Sequence, residues 1–314
     1  MQGFYSRGPC ELVLDEVLDA VHYRQQRKVH HVQQKLLERR FGQPTAVTPG
    51  FTLTGVDTRS VPGFNGGKKD AAAAAKQAAG SLSQLQEKLF ANSKCGDNRK
   101  ILLVLQAMDT AGKGGIVRHV IADVDPQGIS HYAFKAPTKA ERTHDFLWRI
   151  RKRVPEAGMI GVFDRSHYED VLIARVHKLV PPAEIKKRYN QINAFEKELV
   201  DDDTTVIKVM LHISSNEQKS RLGERLDRPD KHWKYHTVDI DERMHWSAYQ
   251  EAFQIALERT STATVPWYVV PADRKWYARL AVQHLLIQAL EAMVLTWPTA
   301  DFDVEAEQGR LSTT

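Results

Sequence analysis

A short apolar run that leads straight into a glycine-rich turn is the feature that most constrains this fold. Residues 101–105, ILLVL, have the composition of a β-strand that is buried on both faces of a sheet. The segment that follows, QAMDTAGKGGIVRHV, places AGKGG at 111–115, four small residues around Lys113, at the expected start of a helix. A strand, a small-residue turn and a helix in this order predict a phosphate-binding loop in an α/β fold.

The chemistry of this turn suits a phosphate ligand. Small residues let backbone amides approach phosphate oxygens, and the Lys113 ammonium can neutralise a transferring phosphoryl group. The usual pattern fails at two positions, because Ala107 replaces the first glycine and Gly114 replaces the Ser or Thr that would hold Mg2+. A tight glycine turn between a strand and a helix is the alternative interpretation. Besides Lys113, the residues expected to contact phosphate here are Thr110, Ala111, Gly112, Gly114 and Gly115.

A carboxylate inside this loop points to a metal ion. Asp109 would repel a phosphate ligand unless a cation lay between the two groups. We therefore expect Asp109 to be a Mg2+ ligand that supplies what Gly114 cannot. The alternative is that Asp109 is an ordinary turn residue or a helix cap.

A second acidic position follows the apolar run GMIGVF. Asp164 comes directly after this expected strand, at the carboxyl edge where open α/β sheets bind ligands. We therefore predict it as the second ligand of Mg2+, with Mn2+ as the alternative ion. Arg165 could clamp a phosphate, and Glu169 lies about one helical turn further on. Asp164 could instead be a strand-end turn residue, and Glu169 could simply pair with an arginine. His167 is a weaker candidate for a base, since transfer between phosphates needs little proton movement.

Residues 217–243 form a charged insert between two expected strands. In many kinases with a phosphate loop, a helical lid brings cationic side chains over the phosphates and excludes water. The alternative is a solvated helical face on which the acidic residues of the insert neutralise the basic ones. The basic residues of the insert are Arg221, Arg225, Arg228, Lys231 and Lys234.

The overall charge agrees with an acidic ligand without specifying one. The 314 residues include 44 Lys and Arg against 39 Asp and Glu, a formal net charge of +5. Further basic clusters lie at 149–153 and 186–188, and they would form a groove for a long polyanion if the fold brought them beside the loop. Surface charges without a shared ligand are the alternative.

Apolar strand patterns and helical patterns alternate along the chain. This alternation predicts a mainly parallel sheet covered by helices on both faces, a P-loop kinase-like α/β fold with a helical lid. We expect an N-terminal helical extension and surface segment at 1–95, the phosphotransferase domain at 96–300 with its lid at about 215–245, and a flexible tail at 301–314. The expected helices lie at about 11–40, 70–92, 114–124, 139–154, 183–200 and 274–293, and the expected extended segments at 101–105, 131–136, 158–163, 204–213 and 266–272.

Several protein classes are disfavoured. The opening residues MQGFYSRGPC lack an apolar segment of the secretory type, and no stretch approaches the roughly 20 apolar residues of a membrane span. Cys10 and Cys95 are too few for a disulfide framework and lack the spacing of metal ligands. We therefore expect a cytoplasmic protein without a membrane partner.

Five separate motifs, in order, resemble one known family. They are LVLQAMDTAGKGG, DPQGI with FKAPTKAERTHDFLWRI, GMIGVFDRSHYEDVLIARVH, RLDRPDKHWKYHTVDIDER and PWYVVPADRKWYARL. From about residue 45 to about residue 297 the chain resembles the polyphosphate kinase family of the second type, and residues 1–44 lie outside the resemblance.

This resemblance implies Mg2+-dependent phosphoryl transfer between inorganic polyphosphate and adenine or guanine nucleotides. It assigns catalysis to Asp109, Lys113, Asp164, Arg165, Arg225 and Arg228, and phosphate contacts to Lys231 and Lys234. The subgroup that accepts both nucleoside mono- and diphosphates is the one most similar to the segments HDFLWRI and MIGVF-x-RS. One departure is AGKGG, which lacks the acidic residue that often follows the lysine in that subgroup. A homo-oligomer is expected, and a nucleic-acid partner is not.

Two other functions are compatible with the same residues. An ATP-dependent nucleotide or small-molecule kinase could use the same loop and lid, since fold does not fix function. A non-enzymatic polyanion-binding protein would explain the basic clusters, but the paired aspartates would weaken simple anion binding.

Overall fold

The structure is a computed structural model that describes residues 45–314. A six-stranded sheet forms its centre. The helix predicted over residues 11–40 lies outside the described residues. The strands are β1 (Thr45–Ala46), β2 (Lys100–Ala107), β3 (Ile129–Ala133), β4 (Ile160–Asp164), β5 (Thr204–His212) and β6 (Trp267–Pro271). Their order across the sheet is β1-β6-β5-β2-β4-β3.

Helices cover both faces of this sheet. In chain order they are α1 (Lys68–Ser93), α2 (Lys113–His119), α3 (Trp148–Arg151), α4 (Ile173–Val176), α5 (Pro182–Asp201), α6 (Ser215–Asp227), α7 (Val238–Met244), α8 (Trp246–Thr260), α9 (Lys275–Ala292) and α10 (Val304–Leu311). Short 3-10 helices precede α1 or lie between the α-helices, at Leu53–Gly55, Ile121–Asp123, Pro126–Gly128, Glu141–Thr143, His167–Asp170 and Pro229–Lys234.

The strand register brings the candidate site to one edge of the sheet. β2 is parallel to both β4 and β5, and Leu105 lies opposite Asp164 on one side and Val209 on the other. The segments that leave these three strands therefore start close together at the carboxyl edge. The expected mainly parallel α/β fold is confirmed, while the short antiparallel pairing of β1 with β6 was not predicted.

Alternate residues of the central strands divide the core into two layers. Leu103 of β2 packs in the layer that contains α1 and α9, whereas its neighbours Leu102 and Val104 pack in the layer that contains α5 and α8. Successive side chains of a strand point to opposite faces, so an entirely apolar strand is required when both faces are covered. This explains why ILLVL shows no alternation.

The helix predicted over 139–154 is wrong over most of its length. Only Glu141–Thr143 and α3 are helical there. Two polar side chains bind the backbone instead of solvent: the Glu141 carboxylate accepts from the Thr138 amide at 2.7 Å, and Asp145 accepts from the Leu147 amide at 2.9 Å. Local side-chain bonds of this kind compete with continuous helix.

The predicted boundary near residue 95 does not separate two packing units. Leu82 and Leu89 of α1 are buried in the same apolar layer as Leu103 of β2, so α1 belongs to the helical cover of the sheet. At the other end of the chain, the expected flexible tail contains α10, whose side chains are all exposed. Within residues 45–314, no helix is long and apolar enough to cross a membrane.

Candidate active site

The turn between β2 and α2 has an unusual backbone. Gly112 has a φ of 121° and Thr110 a φ of 65°. Glycine adopts such angles at little cost, whereas a β-branched residue adopts them only with strain. The Thr110 hydroxyl is also buried without a hydrogen-bond partner among the described residues. Strain of this kind is concentrated at functional sites, which favours a binding loop over a plain glycine turn.

An aspartate–arginine pair joins the ends of two neighbouring strands. Arg165, the residue after β4, donates from Nη2 to Asp109 Oδ1 at 3.2 Å, and its backbone amide donates to the Leu105 carbonyl at 3.1 Å. Arg165 has a φ of 64°, a second strained non-glycine position. Asp109 therefore does not act as a helix cap: its carboxylate is held by Arg165 at the carboxyl edge, beside Asp164.

Glu169 lies beside this pair rather than in the main cleft. It lines a small cavity of about 40 Å³ together with Asp109 and Arg165. Burial raises the pKa of Glu169, and the nearby cations Arg165 and Lys113 oppose this shift. Burial lowers the pKa of Arg165, but the carboxylates of Glu169 and Asp109 outweigh it, so that the pKa of Arg165 is raised. This arrangement keeps Arg165 charged, and among the nearby charges Glu169 contributes most to that effect.

A cleft of about 610 Å³ opens above the loop. Apart from Glu169, every residue that the sequence assigned to the site lines it. Its volume falls within the range of roughly 300–1,000 Å³ for small-molecule sites. Three of its lining residues are acidic, Asp109, Asp164 and Glu224, and eleven are lysine or arginine: Lys113, Arg118, Lys135, Arg165, Arg221, Arg225, Arg228, Lys231, Lys234, Lys275 and Arg279. Such an excess of positive charge suits a polyanionic ligand.

Three lid cations, Arg225, Arg228 and Lys231, are paired with carboxylates of the lid itself. Arg225 contacts Asp239 at 3.2 Å, and Arg228 contacts Asp230 at 2.9 Å. Lys231 also contacts Asp230, at 3.2 Å. The hydrogen bonds from Arg228 and Lys231 hold the pKa of Asp230 at about 2. The cations line the cleft, as a lid over phosphates would require, and neighbouring acids also neutralise them, as on a solvated helical face. Both alternatives from the sequence therefore hold in part.

One aromatic residue of the lid is left in solvent. Trp233 is 75% exposed, and Lys234 lies 4.7 Å from the centre of its ring. Packing inside the protein therefore does not explain Trp233, and it is available to stack on a ligand.

Sequence reasoning missed four cations of the cleft. Arg118 lies in α2, Lys275 and Arg279 lie in α9, and Lys135 follows β3. Burial, then the neighbouring Arg118, lower the pKa of Arg279. Their position in the sequence could have identified them, because each lies within about two helical turns of the carboxyl end of a predicted strand or of the loop that follows it.

Arg221 has a different place from the one predicted. The sequence grouped it with the lid cations, but its side chain is only 4% exposed and binds the phosphate loop and the end of β6. It belongs to the first half of α6, at the base of the lid.

The other basic clusters do not line the cleft. Arg149 and Arg188 both contact the Asp170 carboxylate, at 3.6 and 3.3 Å, and Arg149 also donates to the Lys135 carbonyl at 2.6 Å. The condition for a groove at 149–153 and 186–188 is therefore not met, because neither cluster lies beside the loop. These two arginines support the segment after β4 instead.

His167 and Cys95 are also outside the cleft. His167 is fully buried and lies 3.3 Å from the Glu196 carboxylate, while Cys95 is a free, exposed thiol. Neither is placed to act on a ligand bound above the loop.

Comparison with known proteins assigns the family. A family model described as Polyphosphate kinase 2 (PPK2) matches residues 66–296. The chain belongs to the polyphosphate kinase 2 family. The crystal structure of Polyphosphate Kinase 2 from Arthrobacter aurescens TC1 superposes with a TM-score of 0.86 and 54% sequence identity, covering 88% of this chain and 99% of that one.

Two curated relatives are similar over most of the chain. An AMP/ADP-polyphosphate phosphotransferase of Meiothermus ruber is 44% identical over 248 residues, covering 79% of this chain and 91% of the relative. An ADP-polyphosphate phosphotransferase of Rhodopseudomonas palustris is 42% identical over 229 residues, covering 69% of this chain and 78% of the relative.

The carboxylates of this polyphosphate kinase 2 chain fit a Mg2+ ion that is held partly by its substrate. Among the described residues no cluster of three or more potential ligands could hold a metal alone. Mg2+ is commonly bound through one or two carboxylates plus substrate phosphates, however. Asp109 and Asp164 both line the cleft and supply hard oxygen donors of that kind.

Proposed function

We propose that this protein transfers phosphoryl groups between inorganic polyphosphate and adenine nucleotides, converting AMP to ADP and ADP to ATP. The observation that carries the proposal is the single cleft that contains the strained loop, the two aspartates, Arg165 and the lid cations. Membership of the polyphosphate kinase 2 family and the names of both curated relatives support the same donor and acceptors.

The residues of the loop would hold the phosphates in line for transfer. Lys113 and the backbone of residues 110–115 would bind the oxygens of the transferring group, and Arg165 would bind the partner phosphate. Arg225 and Arg228 would offset the charge that spreads over the phosphoryl oxygens in the transition state. Lys231 and Lys234 would bind the more distant phosphates. Glu169 would support the charge of Arg165 instead of contacting phosphate.

Asp109 and Asp164 would hold the metal ion. When bound, Mg2+ or Mn2+ would neutralise phosphate charge and align the two substrates. Arg165 would hold the Asp109 carboxylate in place, since its Nη2 donates to Asp109 Oδ1 at 3.2 Å.

The four cations that the sequence did not identify would extend the phosphate path. Arg118, Lys135, Lys275 and Arg279 line the same cleft, so a chain of several phosphates would remain in contact with positive charge beyond the reacting group. This favours a polyphosphate over a single phosphate as one substrate. Guanine nucleotides as acceptors, a homo-oligomeric state and a cytoplasmic location remain predictions from the sequence.

Nucleotide analysis tests the proposal directly. Purified protein is incubated with long-chain polyphosphate, Mg2+ and either AMP or ADP, and a reaction without polyphosphate is the control. We expect ADP from AMP and ATP from ADP only when polyphosphate is present, and no turnover after chelation of the metal. Turnover with ATP as donor and none with polyphosphate would replace the proposal with an ATP-dependent kinase. Salt-sensitive binding of polyphosphate without turnover would indicate a polyanion-binding protein.

A further inference from the structure

Arg221 makes contacts that a phosphate-binding arginine would not make. Its Nη1 donates to the carbonyl oxygens of Thr110 and Ala111, at 2.9 and 2.8 Å. These carbonyls belong to two consecutive peptides in the turn of the phosphate loop. The arginine therefore binds the backbone of the loop directly.

The remaining donors of Arg221 are used elsewhere in the protein. Its Nη2 donates to the carbonyls of Ala272 and Asp273, at 2.6 and 3.1 Å, just after β6. Its Nε donates to Glu217 at 2.8 Å. An arginine has five N–H donors, and here five protein acceptors occupy them. No donor is left for a phosphate, although the side chain lies at the wall of the cleft.

These bonds act on the strained part of the loop. Thr110 and Gly112, on either side of Ala111, have φ angles of 65° and 121°. Strained backbone persists only where surrounding contacts determine it. Because the carbonyl and amide of a trans peptide point in opposite directions, binding the Ala111 carbonyl also fixes the direction of the Gly112 amide.

The residue one turn earlier in α6 extends the same arrangement. Gln218 donates from Nε2 to the Asp109 carbonyl at 3.3 Å, so three consecutive loop carbonyls accept hydrogen bonds from α6. Gln218 Oε1 accepts from Arg243 at 2.9 Å, and Arg243 also donates to Ser215 Oγ at 2.8 Å. Arg243 lies in α7, the returning helix of the lid. The base of the lid and the loop are thus joined by side-chain bonds.

We propose that Arg221 is a positioning residue whose planar guanidinium holds the phosphate loop in its strained shape, with Gln218 as its partner. This role needs the forked geometry as well as the charge. A lysine has one nitrogen and cannot reach carbonyls on the loop and on the end of β6 at the same time. The effect on catalysis rests on the proposed function, whereas the effect on the loop does not.

Amide hydrogen exchange on the full-length protein tests the proposal. In Arg221→Lys we expect exchange of the amides of residues 109–115 to rise about ten-fold or more, while residues 101–105 of β2 stay protected. The matched control is Arg99→Lys, because Arg99 also binds a carboxylate and a distant carbonyl, those of Asp97 and Met293, at the opposite edge of the sheet. This control should leave the loop amides unchanged.

Kinetics provide a second measurement. With polyphosphate and ADP, we expect Arg221→Lys to lose about 100-fold in kcat and Arg99→Lys to keep the wild-type kcat. Unchanged loop exchange in a folded Arg221→Lys protein would overturn the proposal, as would wild-type kcat. If this variant does not fold, Gln218→Leu should give a smaller rise in exchange at the same amides, and no rise would overturn the proposal. If the wild type shows no polyphosphate transfer but Arg221→Lys loosens the loop, the function fails and the positioning role stands.

Discussion

The two cationic walls of the cleft are built in different ways. On the loop wall, the buried side chain of Arg221 holds the strained backbone, and Arg165 pairs with Asp109. On the lid wall, Arg228 pairs with Asp230, and both side chains are about half exposed.

This difference means that the charges on the loop wall are fixed in place, whereas those on the lid wall can exchange their partners. Exposed ion pairs add little to stability, so a phosphate can displace Asp230 from Arg228 at little cost. Moving the loop would break several buried hydrogen bonds, each of which leaves an unsatisfied group that costs about 1–3 kcal/mol. We infer that the loop wall sets the geometry of transfer, and that the lid wall adapts to the substrate.

The largest expected effect comes from removing charge on the fixed wall. Asp109→Asn and Lys113→Ala should each lower kcat/KM by about 10³-fold, the magnitude found when a preorganised transition-state contact is lost. Turnover with polyphosphate and ADP, together with thermal melting, measures the change. Asp202→Asn, which loses a salt bridge to Lys100 away from the cleft, is the control and should keep wild-type turnover. Near-normal turnover in either site variant would reject the assigned roles.

A smaller effect concerns the buried support of the fixed wall. His212, at the end of β5, is 5% exposed, and burial lowers its pKa to about 4 against the opposing charge of Asp273. Between this value and the ordinary value of 6.5, the unfolded chain binds a proton that the folded protein does not. Stability is therefore complete above the ordinary value and falls by up to about 3 kcal/mol as pH drops towards 4.

Urea unfolding across this pH range measures the contribution of His212. The wild type should lose about 3 kcal/mol that His212→Gln does not lose, since glutamine has no titrating ring. His131→Gln, on an exposed strand position, is the control and should behave as the wild type. Parallel pH profiles for the wild type and His212→Gln would contradict the prediction.

The smallest effects are expected on the lid and should have opposite signs. Lys231→Ala should raise the KM for polyphosphate about five-fold, whereas Asp230→Asn should lower it about two-fold, because it frees Arg228 and Lys231 from their acidic partner. Steady-state kinetics at low and high ionic strength measure both changes, and salt should reduce them. If Asp230→Asn left the KM for polyphosphate unchanged, the lid would be as rigid as the loop and the prediction would be wrong.

Much of the site was accessible from the sequence because local patterns define it. The strand ILLVL, the glycine turn and Asp164 after GMIGVF determine where strands end, and parallel strand ends meet at one edge. The structure therefore brings Asp109, Lys113, Asp164 and Arg165 to the same cleft.

Other features depended on contacts between distant segments. The 139–154 segment has helical periodicity, yet Glu141 and Asp145 bind the backbone and break the helix. Glu169 follows Arg165 closely in sequence, but the path of the chain after β4 places it in the smaller cavity.

The sequence by itself determined the parallel strands, the loop, the lid and the family resemblance, since each rests on residues that are neighbours in the chain. Only the tertiary structure decided which cations serve the ligand and which serve the protein. Arg221 and Arg225 are one helical turn apart in the same charged insert, and no local pattern distinguishes them. Arg221 binds four backbone carbonyls from two distant segments and so supports the phosphate loop, while Arg225 reaches the cleft. The sequence gives the charge of each arginine, but only the fold determines which groups that charge contacts.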